Sequence, residues 1–353
     1  MAQKFSWNKL TTPFYALAPM AGISSQPFRL ICKEFGADVL FSEMISAEAI
    51  WHKKRQKGKE TEQQRNELLK TLELIKFSEK ECPFIVQIFG ANPEHMAFAA
   101  KYIATGEWAK DYLKIKNLSK IKNCKFKIES IPDGIDINMG CPVRDITKTG
   151  AGAALIKNPK LASEIIKAVK KSINISLSVK TRLGWNDDKN ILTFSRMLVG
   201  SGVDAITIHG RTVKQGFTGE VNWQKICEVK KALKIPVIGN GGVDNKFKIK
   251  NLKLKINLDG YMIGRGARGN PWLFQNIKNQ KSNIKDVSLT ERKKVILAHA
   301  KLAYQLLGKR GIIELRKHLA WYFIGVANSS KIRSQLVKVN DFEDVKNILT
   351  LIN

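Results

Sequence analysis

The run Asn138-Met139-Gly140-Cys141-Pro142-Val143-Arg144 puts a thiol in a turn between the strand-like Gly134–Asn138 and the glycine-rich Thr149-Gly150-Ala151-Gly152. Pro142 stiffens that turn, and an arginine follows three positions after the cysteine. A side chain presented there can meet a substrate and is poorly placed to build a core. Cys141 has three readings: a buried small hydrophobe, a nucleophile, or a general acid. No His or Asp adjoins it in the chain to activate a nucleophile, partners brought in by the fold stay open, and the motif alone does not separate the last two readings.

Other candidate groups stand at the ends of short apolar runs. Asn240-Gly241-Gly242 and Gly264-Arg265-Gly266 have glycines that let backbone N–H groups approach an anion, and Arg265 adds a charged fork. Together they form a phosphate-binding candidate; two ordinary glycine turns are the plainer alternative. The amide of Gln87 can donate to and accept from a heterocycle's edge, or bond within a barrel layer. Lys180 and Arg182 alternate along one strand end and are not expected to face the interior together. A cation there would stabilise the anionic reduced form of a flavin; the alternative for Lys180 is an ion pair with Glu43. His209 suits a phosphate or flavin contact better than a core position, and no second His or Cys lies at metal-ligand spacing, so no metal is expected.

The elements that must position these groups are legible as alternation. Apolar, β-branched runs recur at Tyr15–Ala18, Asp38–Phe41, Phe84–Ile88, Gly134–Asn138, Ser176–Lys180, Ala205–Ile208, Pro236–Gly239 and Gly260–Ile263. Helical patterns between them include Gln26–Phe35, Pro93–Ala104, Pro159–Lys171, Ile191–Gly200 and Trp223–Leu233. Near-continuous hydrophobicity suits parallel strands covered on both faces, and the repeat predicts an α/β fold of the (β/α)8 TIM-barrel type, with a doubly wound open sheet as the alternative. In a barrel the candidate groups all fall where strands end and helices begin, the first such end being Ala18-Pro19-Met20-Ala21-Gly22. Residues 51–80 read as a long loop with a helix. Residues 107–130 are a lysine-rich excursion, either solvated or touching RNA. Gln275–Lys285 reads as a linker. Beyond it Ser288-Leu289-Thr290-Glu291 forms a capping box, Gly308 and Gly311 end the helix it opens, and Asn340-Asp341-Phe342-Glu343 caps a last helix. The expected organisation is a barrel over 1–280 and a small helical domain over 281–353.

The chain has 353 residues, enough for one large and one small domain, and 44% apolar content. Sixty basic against 31 acidic residues give a net charge of +29, which suits a polyanionic partner. Only 13 of the basic residues are arginines, and Arg144, Arg182, Arg211, Arg265 and Arg268 all fall in strand-end loops. No apolar run approaches a membrane span, and the N-terminus lacks a signal-peptide core. Five scattered cysteines without CxxC spacing argue against a disulfide framework and for a reducing cytoplasm. No feature of the sequence indicates an oligomeric state.

Six motifs in order, Ala18–Gly22, Val86–Gly90, Asp136–Pro142, Val179–Arg182, Ile208–Thr212 and Met262–Gly266, together resemble the tRNA-dihydrouridine synthases. Gly269-Asn270-Pro271-Trp272-Leu273-Phe274 and Arg316-Lys317-His318 with Trp321-Tyr322 look most like the bacterial B-type branch. The resemblance implies an FMN-bound barrel, a helical domain that helps hold tRNA, and reduction of uridine in the tRNA D-loop to 5,6-dihydrouridine, with NADPH (or NADH) as reductant. It further implies hydride from reduced FMN to carbon 6 and a proton from Cys141 to carbon 5, for which a thiol of near-neutral pKa serves if it stays protonated until the hydride arrives. Pro19, Met20, Ala21, Gln87, Lys180, His209, Asn240, Gly241, Gly242, Gly264 and Arg265 match the family's FMN contacts, and Asn138 and Arg182 resemble its substrate-side residues. Gly242 departs from relatives that carry an acid there. A flavin barrel acting on free pyrimidines, like dihydroorotate dehydrogenase, is the same-fold alternative, and a non-catalytic RNA-binding barrel is the alternative of another class.

Overall fold

The computed structural model describes residues 5–55, 61–116, 129–244, 257–279 and 287–352. Its parallel strands are β1 Phe14–Leu17, β2 Val39–Phe41, β3 Ile45–Ser46, β4 Phe84–Phe89, β5 Gly134–Met139, β6 Ser176–Arg182, β7 Ala205–His209, β8 Val237–Asn240 and β9 Gly260–Ile263. β1 pairs with both β2 and β9, and β2 pairs with β4, so eight strands close into a barrel; β3 is a two-residue pairing on the far end of β4. The predicted (β/α)8 barrel is the observed fold, and each predicted strand lies within a residue or two of its observed bounds.

Strand period sets the two faces. Along β5, Ile135, Ile137 and Met139 join Ile165, Ile166 and Val169 of the Pro159–Ser172 helix in the outer core, which leaves Asp136 and Asn138 to the inside. The lower interior is apolar: Phe14, Ala16, Val39, Phe41, Ile85, Ile238 and Met262 pack together, with Trp7 tilted against the Phe14 ring at 5.8 Å and stacked on that of Phe41 at 6.3 Å. The upper interior is polar. Cα register puts Gln87, Asp136 and Ser178 in one row, Asn138 beside Lys180, and Arg182, His209 and Asn240 in another row. The strands are therefore less uniformly apolar than parallel strands were expected to be, because their last inward positions belong to the open end.

The C-terminal helices span Leu289–Trp321, Ser330–Leu336 and Phe342–Thr350. Gly308, at φ 63° and ψ −150°, breaks the first of them, as expected; Gly311 does not, and is instead buried in the segment that follows. Ser288 caps through the Glu291 N–H at 3.2 Å, and Asp341 caps the last helix in a capping box with Asp344. The linker expectation is corrected in part: Gln275–Lys278 close the helix Trp272–Lys278, whereas 280–286 lie outside the described residues. In the lysine-rich excursion, Lys110 and Lys114 belong to the helix Glu107–Ile115, Lys116 pairs with Glu73 at 3.0 Å, and Lys120, Lys122, Lys125 and Lys127 lie outside the described residues. The 51–80 segment holds two helices, Ala47–Arg55 and Glu62–Glu73. Among the described residues no helix is long and apolar enough to cross a membrane.

The helical segment packs on the first barrel helix, Gln26–Glu34, through Ile31 and on the helix Trp272–Lys278 through Trp272, which join Ile296, Leu319, Tyr322 and Phe323 in one apolar cluster. Beside it Phe28 contacts the rings of His299 and His318, and His299 Nδ1 meets the Tyr322 hydroxyl at 3.0 Å. Burial pushes His299 down to about 3 and lowers His318 as well. Each histidine therefore has a folded value below its unfolded value of about 6.5, so the unfolded chain takes up the extra protons. Stability from these groups is complete above about pH 6.5 and erodes as pH falls below it. The thermal midpoint should drop between about pH 7 and about pH 5.5; a flat midpoint over that range would contradict neutral, buried histidines at this junction.

Candidate active site

The loop after β1 is built by short-range bonds: Ser24 Oγ donates to Ala18 O at 2.8 Å and accepts from Met20 N at 3.1 Å, while Gly22 N donates to the Glu43 carboxylate at 2.5 Å. Below it a buried Arg29–Glu81 pair at 2.8 Å fixes Ser24 O through the same guanidinium. Pro19, Met20 and Ala21 are thereby presented at the barrel mouth. Glu43 bonds the loop and makes no pair with Lys180, which corrects that alternative; Lys180 Nζ instead donates to Asn240 Oδ1 at 3.0 Å.

The Cys141 turn hangs from one side chain. Asn138 Oδ1 accepts both Gly140 N at 3.1 Å and Cys141 N at 2.9 Å, an Asx-turn closure that stands in for a backbone turn. Losing it would leave two N–H groups without acceptors, about 1–3 kcal/mol each if buried. Ala153 N donates to Cys141 O at 3.0 Å, and Gly152, at φ 60°, passes so close that a Cβ would sit 3.0 Å from that oxygen and 2.9 Å from Ile146. Arg182 completes the hold, with Nε on Gly140 O at 2.8 Å and Nη1 on Thr212 O at 3.1 Å and Gly216 O at 2.7 Å.

Together the strand ends line one cavity of about 730 Å³. All of the predicted positions line it: Cys141, Asn138, Arg182, Pro19, Met20, Ala21, Gln87, Lys180, His209, Asn240, Gly241, Gly242, Gly264 and Arg265. The expectation that Lys180 and Arg182 point apart was wrong. Two residues apart is one full pleat period, so both face inward, and three carbonyl oxygens compensate the arginine. Gln87 gives one N–H to Asp136 at 2.7 Å and one lone pair to Asn138 at 2.9 Å, which keeps one donor and one acceptor of its amide for a ligand.

The electrostatics follow from burial among cations. His209 is driven down to about 2 by burial and by Lys180, Arg182, Arg211 and Arg265, so its ring is neutral, with Nε2 3.4 Å from Arg211 Nη1. Burial, helped by Arg182 and opposed by Asp136 and Cys141, lowers Lys180 to about 8. Burial raises the Cys141 thiol, against the Val143 N–H, Arg182 and Lys180, which favour its anion. The thiol is thus lifted above its usual range rather than near neutral, which meets the condition that it stay protonated. Cys141 is half-exposed in the cavity and bonds no His or Asp among the described residues, which disfavours both the buried-hydrophobe and nucleophile readings.

The glycine loops form a pocket end that fits a phosphate. Gly241 has φ 118°, and a Cβ there would sit 2.6 Å from the His209 ring. Arg211, Arg265 and Arg268 line the same end. Among the described residues, no three His, Cys, Asp or Glu side chains are grouped to hold a metal.

Three features escaped the reading of the sequence as parts of the site. Asp136 is fully buried beneath the cavity, and burial raises its carboxyl to about 6 against hydrogen bonds from Ser178 and Gln87. The signal was an acid between the isoleucines of a strand. Phe217 stands 54% exposed at the rim with the guanidiniums of Arg265 and Arg182 at 4.7 and 5.3 Å from its ring centre, and no local pattern marks it. Glu43, read only as a partner for Lys180, is the anchor of the first loop.

A closed parallel barrel whose open end gathers cations, glycine loops and a thiol is of the class that carries its active site where strands end. The chain belongs to the dihydrouridine synthase family: it matches that family's description, "Dihydrouridine synthase (Dus)", over residues 16–110 and 118–352. It is 35% identical to tRNA-dihydrouridine synthase B of Pasteurella multocida, across 92% of this chain and 88% of the relative. It is 32% identical to a probable tRNA-dihydrouridine synthase 1 of Synechocystis, across 94% and 84%. A probable tRNA-dihydrouridine synthase of Rickettsia typhi is 34% identical across 92% and 90%.

The raised thiol sets a test. Alkylation of Cys141, followed by peptide mass, should accelerate only above the ordinary thiol range of about pH 8.5–9. A rate that levels off below about pH 8 would contradict a thiol held protonated.

Proposed function

We propose that this protein reduces uridine in tRNA to 5,6-dihydrouridine, with FMN in the barrel mouth and NADPH (or NADH) as the source of electrons. The observation that carries the proposal is the convergence of every family-matched position on one cavity, with the Cys141 thiol among them. When bound, FMN supplies the hydride that NADPH provides and carbon 6 of the uracil ring receives. The remaining work falls to the chain itself.

Gly241, Gly242, Gly264 and Arg265 would hold the FMN phosphate, by backbone approach and a charged fork. Pro19, Met20 and Ala21 would cover the ring, and Gln87 has a free donor and acceptor for the ring's polar edge. Lys180, desolvated and fixed by Asn240, opposes negative charge on the reduced ring. His209 stays neutral, so it can accept from Arg211 or receive a ligand's N–H without adding positive charge.

Cys141 gives its proton to carbon 5 as carbon 6 gains hydride, so the ring's double bond is consumed and a thiolate remains. Burial keeps that proton on sulfur beforehand, and Arg182 with Lys180 stabilises the anion afterwards. Asn138 and Arg182 flank the space a pyrimidine would enter, and the base must leave its stack to reach it. The net charge of +29 suits the polyanion that carries the base, and the helical segment 281–353 is assigned to holding it.

In the Cys141→Ala variant the visible flavin absorbance should persist while tRNA-dependent NADPH oxidation falls by about 10²–10⁴-fold, the range for loss of a positioned acid. An unchanged rate would place the proton donor elsewhere. The unmodified enzyme should turn over with tRNA lacking dihydrouridine and remain idle with free uracil or orotate; turnover with orotate would favour the free-pyrimidine alternative. tRNA affinity should fall about 10³-fold or more between about 50 and 200 mM salt if at least six phosphates are neutralised.

A further inference from the structure

We propose that Asp136 is a positioning residue, whose carboxylate fixes the direction of two side-chain amides and through them the turn that presents Cys141. The proposal rests on the reading of Cys141 as the proton donor, yet its structural half can be tested apart from turnover.

The relay starts from groups that allow no choice. The backbone N–H groups of Gly140 and Cys141 can only donate, so Asn138 must turn its oxygen towards them, at 3.1 and 2.9 Å. Its nitrogen then faces Gln87, which must present its own oxygen, at 2.9 Å. The nitrogen of Gln87 in turn faces residue 136, and the chain closes only if that residue accepts; Asp136 Oδ2 does so at 2.7 Å. Ser178 Oγ donates to the other carboxylate oxygen at 2.6 Å and stops the carboxylate from rotating. Each link is short, Gln87 is 1% exposed and Asp136 is 0% exposed, so the bonds that set the direction of the relay are made within the protein. An amide reversed at either link would set two oxygens or two N–H groups face to face, and a reversed Asn138 would take the acceptor from the turn's N–H groups.

The relay has a direction, and the direction can be reversed by two isosteric changes. In Asn138→Asp, the new carboxylate still accepts from the turn but offers Gln87 an oxygen. Gln87 must then flip, and its oxygen meets the Asp136 carboxylate. In Asp136→Asn, the oxygen still faces Gln87, and the new NH2 turns to Ser178, whose hydroxyl can accept. In the double variant, the amide introduced at position 136 donates to the flipped Gln87. Gln87 then donates to the carboxylate introduced at position 138, and the turn is held once more.

The test compares the flavin-loaded wild type with the two single variants and the double variant. It follows the alkylation rate of Cys141 by peptide mass, with Cys82 and Cys227 as internal controls, and the thermal midpoint. Asp136→Asn alone should change the Cys141 rate less than twofold. Asn138→Asp alone should change it at least fivefold and lower the midpoint, and adding Asp136→Asn should return both towards wild type. The control cysteines should not respond. Additive effects, with the double variant no better than Asn138→Asp, would overturn the relay. Equal responses at Cys82 and Cys227 would also overturn it, by showing a general loosening. If Cys141→Ala retained full turnover, the acid role would fail while the alkylation cycle still decided the relay.

Discussion

A polar layer inside a closed barrel is tolerable only where each buried donor meets an acceptor, because an unmade bond there costs more than a made one contributes. The upper interior satisfies this almost entirely from its own strands. Asp136, Gln87, Asn138, Ser178, Lys180 and Asn240 bond one another across four strands, and the same atoms that solve the burial problem aim side chains into the cavity. Below them an apolar plug of Phe14, Phe41, Ile85 and Trp7 closes the other end. Structure and site are thus two outcomes of one alternation: inward positions low in the barrel are apolar, and inward positions at its open end are polar.

The second constraint is charge. Lys180, Arg182, Arg211, Arg265 and Arg268 line one cavity, and such a cluster is costly without carbonyl partners or an anion. Arg182 finds three carbonyls and Arg211 finds Gly219 O through Nε and Nη2, at 3.0 and 2.8 Å. Arg265 makes a 3.4 Å contact with Phe217 O and stacks on the ring. The field has two consequences of opposite sign for neighbouring protons: it keeps His209 neutral, and it favours a Cys141 anion that burial opposes. A thiol protonated at rest and stabilised once it has lost its proton is what an acid in this position requires.

Much of this was legible in the chain because the barrel repeat is strongly periodic and its chemistry is confined to strand ends. Strand and helix positions needed only hydrophobic runs and punctuation such as Pro93 and Pro159, each of which opens a helix. The glycine loops, Gln87 and Cys141 announced themselves by residue type at those ends. Relations across strands were less legible. The shared face of Lys180 and Arg182 follows from the pleat and was misjudged. The Glu43 bond to Gly22, the Asp136 network and Phe217 at the rim depend on which strands and loops become neighbours, which local pattern does not encode. The raised thiol depends on desolvation by the assembled mouth, and so is invisible before folding.

The central claim is spatial: a flavin at the open end of the barrel, with the Cys141 sulfur facing its reactive ring across a gap sized for a pyrimidine. A crystal structure of the FMN-loaded enzyme measures this directly. The account predicts the phosphate among Gly241, Gly242 and Arg265, and the sulfur separated from the ring face by about 7 Å, two van der Waals contacts on either side of one flat base. A flavin phosphate bound elsewhere, or a sulfur turned into the protein with no open path to the ring, would contradict it.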